Sequence, residues 1–318
     1  MARTRYVPDR GLTARMGATM FLLGLVFVAF VAAIIYILSA VGASNGAIVL
    51  FAVVVGGGMA IGSLFYSDKI ALSTAGAYEV SPQQAPELHG VVDRICALAD
   101  MPKPRVAVAN TDIPNAFATG RNSKRAVLCV TTGLLRRLDR EELEGVLAHE
   151  MSHVAHRDVM VMTIASFLAI IAGLMIRFAF YSELFGGGGG RGRRSGTDQN
   201  TLPVMLIIML VSIVVYAISF LLIRLLSRYR ELAADRSGAL LTGQPSALAS
   251  ALQKVSGSIA RIPTRDLRAA EPLNAFFFVP ALTRRQGEMS LSTLFSTHPS
   301  LEKRLEQLAK ISRELAKQ

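Results

Sequence analysis

Three of the chain's five histidines fall within thirteen residues, in "VLAHEMSHVAHRD", 146–158. His149, Glu150 and His153 form an HExxH match. On a helix, residues four apart face the same way. Two imidazoles so placed can converge on one zinc ion at about 2.0–2.1 Å. Glu150 then lies at the edge of the metal face, where its carboxylate can take a proton from water and pass it to a leaving amine. Zinc brings the pKa of water that it binds to about 7, which makes hydrolysis feasible at neutral pH. By chance such a pattern is expected in fewer than about one chain in a hundred of this length.

A zinc site of this kind needs a third protein ligand. His156 shares a helical stripe with His149, but seven residues of rise separate them by roughly 10 Å, too far to share an ion easily. A metzincin pattern requires histidine six positions after His153, and Val159 stands there. His156 therefore reads as a surface residue or a support for the ligands. "RELAAD", 230–235, offers a better partner. Glu231 can complete a His₂Glu set, and Asp235, four residues on, can accept the other ring N–H of a ligand histidine. The plainer reading of ExxxD is a solvated helix with Arg230 and Arg236 as ion partners.

The elements that must position these groups are legible in part. "LDREELEGVLAHEMSHVAHRD", 138–158, is predicted helical, with Asp139 as N-cap, acidic residues in the first turn, and Leu143, Val146 and Leu147 on its apolar side. A stop or bend is expected near Asp158. "RVAVAN" alternates like a strand, and "RAVLCVTTGLL" reads as a buried strand entering a helix. "PELHGVVDRICALADM" has helical spacing with His89 as a surface or packing residue. Residues 67–84 read as a short strand and connector, 227–243 as a helix, 245–259 as another, 257–296 as irregular and 298–315 as an amphipathic helix.

Four uncharged blocks, 17–39, 47–66, 159–176 and 202–223, are each about long enough to cross a hydrocarbon core of roughly 30 Å. They predict two transmembrane hairpins. Arg3, Arg5, Arg10 and Arg15 precede the first block and the turn "AVGASNGA" has no cation, so the N-terminus and residues 67–158 are expected in the cytoplasm. The loop "SELFGGGGGRGRRSGTDQN" is a flexible linker whose three arginines run against that rule if it faces outward. A hairpin returns its ends to one side, which brings the 149–153 and 231–235 segments to one membrane surface. The expected organisation is a tail and first hairpin over 1–66, one peptidase half over 67–158, the second hairpin over 159–226 and the other half over 227–318.

The net charge of +11 is spread over flanks and amphipathic segments, which suits anionic lipid rather than nucleic acid. Cys96 and Cys129 are far apart, lack CxxC spacing and read as buried thiols in a reducing compartment. Nothing in the sequence specifies an oligomer.

Taken together, the hairpins, "NAFATG", "HEMSHVAHRD", "SRYRELAAD" and "THPSLEKRL" resemble the HtpX-type integral-membrane zinc peptidases, relatives of the CAAX prenyl endopeptidases. The resemblance implies a mainly α membrane protein with a cytoplasmic α+β, gluzincin-like peptidase domain and a small sheet, in a bacterial inner membrane. It implies one Zn²⁺ per chain on His149, His153 and Glu231, Glu150 as catalytic carboxylate and Asp235 behind the ligands. Asn115, Ala116, Phe117 and Ala118 look like the edge that pairs an extended peptide; an ordinary core strand is the alternative. His298 matches the family's His-Pro segment and is expected to donate to an oxyanion, to cap the zinc at rest or to shape a turn, with Arg304 a further oxyanion donor. The implied function is endoproteolysis of misfolded or membrane-associated proteins in membrane quality control and stress response. The alternatives are processing of one defined substrate, or a silent membrane adaptor with structural zinc.

Overall fold

In the computed structural model, residues 10–40, 46–186, 201–262 and 298–317 are described. The chain divides into two compact units. One takes in 64–161 and 227 onward, with the start of the first helix; the other comprises 17–63 and 162–226.

The first unit is built around a four-stranded mixed sheet in the order β1-β2-β4-β3. Its strands are β1 (Ala77–Glu79), β2 (Arg105–Ala109), β3 (Ala116–Thr119) and β4 (Val127–Thr131). β2 and β4 run parallel, and β1 and β3 pair antiparallel on the outside. Strand alternation sends Val106, Val108, Leu128 and Val130 to one face, where they join the core built from α3 (Pro86–Ala99), α5 (Arg140–Ala155), α8 (Pro245–Ile259) and α9 (Leu301–Leu315). Ala107, Ala109, Val127, Cys129 and Phe117 go to the other face and pack on Ala71, Leu72 and Ala75. Covered on both sides, β4 is buried throughout, which is why "VLCVT" reads as a run and not as an alternation.

Those last three residues belong to α2 (Gly46–Ala75), which continues past the apolar block 47–66 into the stretch expected to be strand and connector. The extension persists because its inner side, at Ala71, Leu72 and Ala75, covers the sheet, while Lys69 and Thr74 face out. The chain then turns at Gly76, in the left-handed region at φ 58°. A second difference concerns α7, one continuous helix over Thr201–Thr242 that joins the fourth apolar block to the 227–243 segment without a break. It ends at Gly243, φ 70°, as expected. The short α4 (Thr132–Leu135) follows β4 directly, with Thr131 as its N-cap.

Three described helices are long and apolar enough to cross a membrane: α1 (Arg10–Ala40), α6 (Asp158–Gly186) and α7. The second apolar block lies in α2, the side chains of whose first eight residues fall outside the described set. In the second unit Gly57 faces the Phe167 ring of α6, and a side chain at Gly56 would meet Ile171 at 2.9 Å, so the glycines let these helices approach closely. The hairpin turn at 41–45, the glycine- and arginine-rich linker from 187 on and most of the irregular 257–296 stretch lie outside the described residues, as do Arg3 and Arg5.

Candidate metal centre

Helix α5 starts where its sequence directs. The Asp139 carboxylate accepts the Glu142 N–H at 2.9 Å and the Glu142 side chain accepts the Asp139 N–H at 3.1 Å, a capping box that satisfies two otherwise orphaned donors. Leu143, Val146, Leu147 and Met151 anchor the helix in the core, leaving His149 and His153 one above the other. The helix closes at His156, Arg157 adopts φ 54°, and α6 begins at Asp158. Across from α5 runs α7. A Cβ on Gly238 would stand 2.8 Å from the His149 backbone nitrogen and 3.1 Å from its Cα. Only glycine permits that approach, and the approach brings Glu231 to the histidines.

One ligand atom from each of His149, His153 and Glu231 lies within 4.8 Å of the others. His149 Nε2 and His153 Nε2 are 3.2 Å apart, and the Glu231 oxygens stand 3.6 and 3.5 Å from them. Two imidazole nitrogens and a carboxylate converging at this separation are a donor set that suits a divalent metal ion. Tetrahedral ligation at about 2.1 Å sets ligand atoms about 3.4 Å apart, close to the spacings seen. The residues therefore fit a single zinc-sized ion.

The far side of each imidazole is held too. His149 Nδ1 lies 2.9 Å from Asp235 Oδ1, and Asp235 receives the Arg304 guanidinium through Nε at 2.8 Å and a second nitrogen at 2.7 Å. His153 Nδ1 lies 2.5 Å from Asp158 Oδ2, which takes Arg230 at 2.6 Å. Each histidine thus has a carboxylate behind it and each carboxylate an arginine. An imidazole that keeps its proton on Nδ1, toward the carboxylate, presents the Nε2 lone pair to the metal position. Asp158 and Arg230 are the residues that spacing did not reveal as part of the site. Two nitrogens of Arg304, the expected oxyanion donor, engage Asp235, and a third stands 3.8 Å from Glu231. His298, just ahead of the Ser300 N-cap of α9, has Nδ1 3.1 Å from Glu231 Oε2.

Glu150 is buried, with Oε2 accepting the Ala118 N–H at 3.2 Å. Burial pushes its carboxyl above the ordinary value, against the pull of His149 and His153. A carboxylate poised higher is a better proton acceptor near neutral pH. Among the described residues β3 is an edge strand. The Thr131 N–H donates to Asn115 O at 2.9 Å, and the register pairs Ala116 with Val130, so alternation turns Asn115, Phe117 and Thr119 toward β4 and leaves the polar groups of Ala116 and Ala118 on the free edge. The Phe117 side chain is buried in the core beneath the sheet, and Asn115 is buried beside Thr131. His156 is not in the ligand cluster, and His89 is a buried packing residue whose Nε2 lies 3.0 Å from Val80 O. Both cysteines are buried and free.

Peptidase family M48 matches residues 82–312. "Protease HtpX homolog 1" of Streptomyces coelicolor is 59% identical over 98% of this chain and 97% of its own length. "Protease HtpX homolog" of Moorella thermoacetica is 50% identical over 96% of each chain, and "Protease HtpX homolog 2" of Methanosarcina mazei is 49% identical over 99% of this chain and all of its own. The crystal structure of S. mikatae Ste24p shares the fold, with a TM-score of 0.52 at 15% identity, over 94% of this chain and 66% of that one. A family match across well over half the sequence, full-length relatives at about half identity or better, and long apolar helices lead to one conclusion: this chain is a membrane-associated metallopeptidase belonging to peptidase family M48.

Proposed function

We propose that the chain is an endopeptidase using one zinc ion, held by His149, His153 and Glu231, and that it cleaves misfolded or membrane-associated proteins from the cytoplasmic side of a bacterial inner membrane, in quality control under stress. Four spans, in α1, α2, α6 and α7, carry it. When bound, zinc supplies Lewis acidity to water and to the scissile carbonyl. The chain's own residues do the rest. Glu150 takes a proton from the attacking water and returns it to the leaving amine. Asp235 and Asp158 hold the two imidazoles in the ligating tautomer, with Arg304 and Arg230 fixing the carboxylates. An extended peptide adds to the free edge of β3 through the backbone groups of Ala116 and Ala118. Its carbonyl competes with Glu150 for the Ala118 N–H, which frees the base as substrate arrives. His298, beside Glu231, is within reach of an oxyanion.

The observation that carries this reading is the convergence of three ligand-capable atoms from two helices, with a buried carboxylate between them and an edge strand. Glu150→Gln tests it. The variant is expected to bind about one zinc per chain and to lose proteolysis by at least about a hundredfold. Wild-type turnover by that variant would remove Glu150 from the reaction. The proximity of His298 to Glu231 also admits a closed, four-ligand structural site. That reading predicts that His298→Ala weakens zinc binding while the wild type has no protease activity.

A further inference from the structure

The strand that would carry substrate runs straight into a basic turn. After Thr119 the sequence is "GRNSKRA", with three cations and no acid. The turn is built rather than loose. Gly120 sits at φ 128°, where a Cβ would collide with the Arg125 carbonyl oxygen at 2.6 Å. Asn122 caps a single 3₁₀ turn over Ser123–Arg125, its side chain accepting the Arg125 N–H at 3.0 Å. This presents Lys124 and Arg125 outward. Arg121 folds back, and its guanidinium lies 4.4 Å from the centroid of the Phe65 ring.

Phe65 marks a position in depth. It stands where α2 leaves its apolar block and turns polar, at "LFYSDKI", 64–70. Phe65, Tyr66 and Ile70 are more than half exposed, and Lys69 reaches over the Tyr66 ring at 5.9 Å. Aromatic residues with a cation at the end of a span are what the headgroup layer selects. The nearby carboxylates Asp68 and Glu79 are both taken by Arg105, at 2.5 and 2.6 Å. Among the described residues no ion pair involves Arg121, Lys124 or Arg125, so the turn keeps its charge and lacks an anion at the depth where lipid phosphates lie.

We propose that the turn 121–125, together with Lys69, is a binding surface for anionic lipid headgroups that pins the end of β3 to the bilayer. The inference rests on the reading above that α2 spans the membrane and β3 is the substrate edge. It narrows the substrate class to peptide segments that leave the membrane close to its surface, because the edge that receives them is itself held there.

The experiment uses the full chain in lipid nanodiscs, of phosphatidylcholine alone or mixed with phosphatidylglycerol, with an environment-sensitive thiol dye on Ser123→Cys. Cys96 and Cys129 do not compete for the dye: both are buried, and burial pushes their thiols up to about 11 and about 12. In the mixed discs the acrylamide quenching constant is expected to be at least about twofold lower than in phosphatidylcholine, high salt should abolish the difference, and so should R121Q/K124Q/R125Q. Equal quenching in the two lipids, or protection that survives both salt and the triple substitution, overturns the proposal. A dye at Met59→Cys, on the exposed side of α2, reports separately on the span. If acyl-chain nitroxides fail to quench it, the spanning reading falls and this proposal with it. If they do quench it while the Ser123 probe ignores lipid charge, only the lipid-binding surface is refuted. Zinc-dependent cleavage of a soluble peptide by the same discs shows that the peptidase reading stands whichever result is obtained.

Discussion

His149 and His153 are supported in the same way, each imidazole backed by a buried carboxylate and each carboxylate by an arginine. A carboxylate there fixes which nitrogen keeps its proton and raises ligand basicity, and losing it costs metal-ligating sites about 10–100-fold in affinity. Asp158→Asn is therefore expected to weaken zinc binding by that factor in a chelator competition, with Arg230→Gln showing a smaller loss in the same direction. Unchanged affinity in Asp158→Asn would mean that this contact only packs. The cluster of His149, His153 and Glu231 was legible because a spacing of four is enough to place two side chains on one helix face, and because ExxxD repeats that geometry. Asp158 was not, because it lies beyond a helix break whose direction depends on one residue, Arg157, in the left-handed region. The contact of Arg304 with Asp235 was not legible for a related reason. Sequence gives its place on an amphipathic helix but not that this helix docks with the guanidinium on Asp235, sixty-nine positions away.

At the scale of elements, the site depends on how closely α5 and α7 approach. Gly238 sets that distance, since a methyl group there would press on the His149 backbone at 2.8 Å, and backbone cannot rotate aside. Gly238→Ala is expected to destabilise the protein by about 1–3 kcal/mol, the usual cost of overpacking, and to weaken zinc binding as α7 is pushed from the histidines. Gly257→Ala is the control. Gly257 is exposed on α8 with nothing near its missing Cβ, so the substitution should stabilise by up to about 1 kcal/mol through helix propensity alone. If thermal melting ranks the two alike, glycine at 238 is not there for close approach. Signals local to one element were readable in advance: the Asp139 cap, the run of β4, and the bounds of α8 between Pro245 and Ile259. The onward course of α2 to Ala75 and the unbroken length of α7 were not. Both are decided by what the helix packs against once it has formed, and neither stretch carries a breaker that would end it.

For the whole molecule, the unit that holds the sheet and the histidine cluster is assembled from two main stretches of chain with long apolar helices between them. Reasoning from hairpins could anticipate that the 149–153 and 231–235 segments come together, as the clustered atoms of His149, His153 and Glu231 do. It could not supply the sheet order, in which β3 takes the edge beside Glu150, since strand pairing between distant segments leaves no periodic trace. The proposed metal site joins these stretches: two candidate ligands, His149 and His153, precede the intervening helices and the third, Glu231, follows them, 78 positions after His153. An ion bound there should act as a cross-link and stabilise the folded form over the unfolded by mass action, by about 2.7 kcal/mol when free zinc is a hundredfold above its dissociation constant. Stripping zinc with a chelator should lower the melting temperature of the detergent-solubilised chain, and returning zinc should restore it. Glu231→Ala and His149→Ala should melt at temperatures insensitive to either treatment. Glu150→Gln should still respond, because Glu150 touches the Ala118 N–H and is not among the clustered ligand atoms. A zinc-dependent shift that persists without Glu231 would place the ion elsewhere and separate the two halves that the site is argued to join.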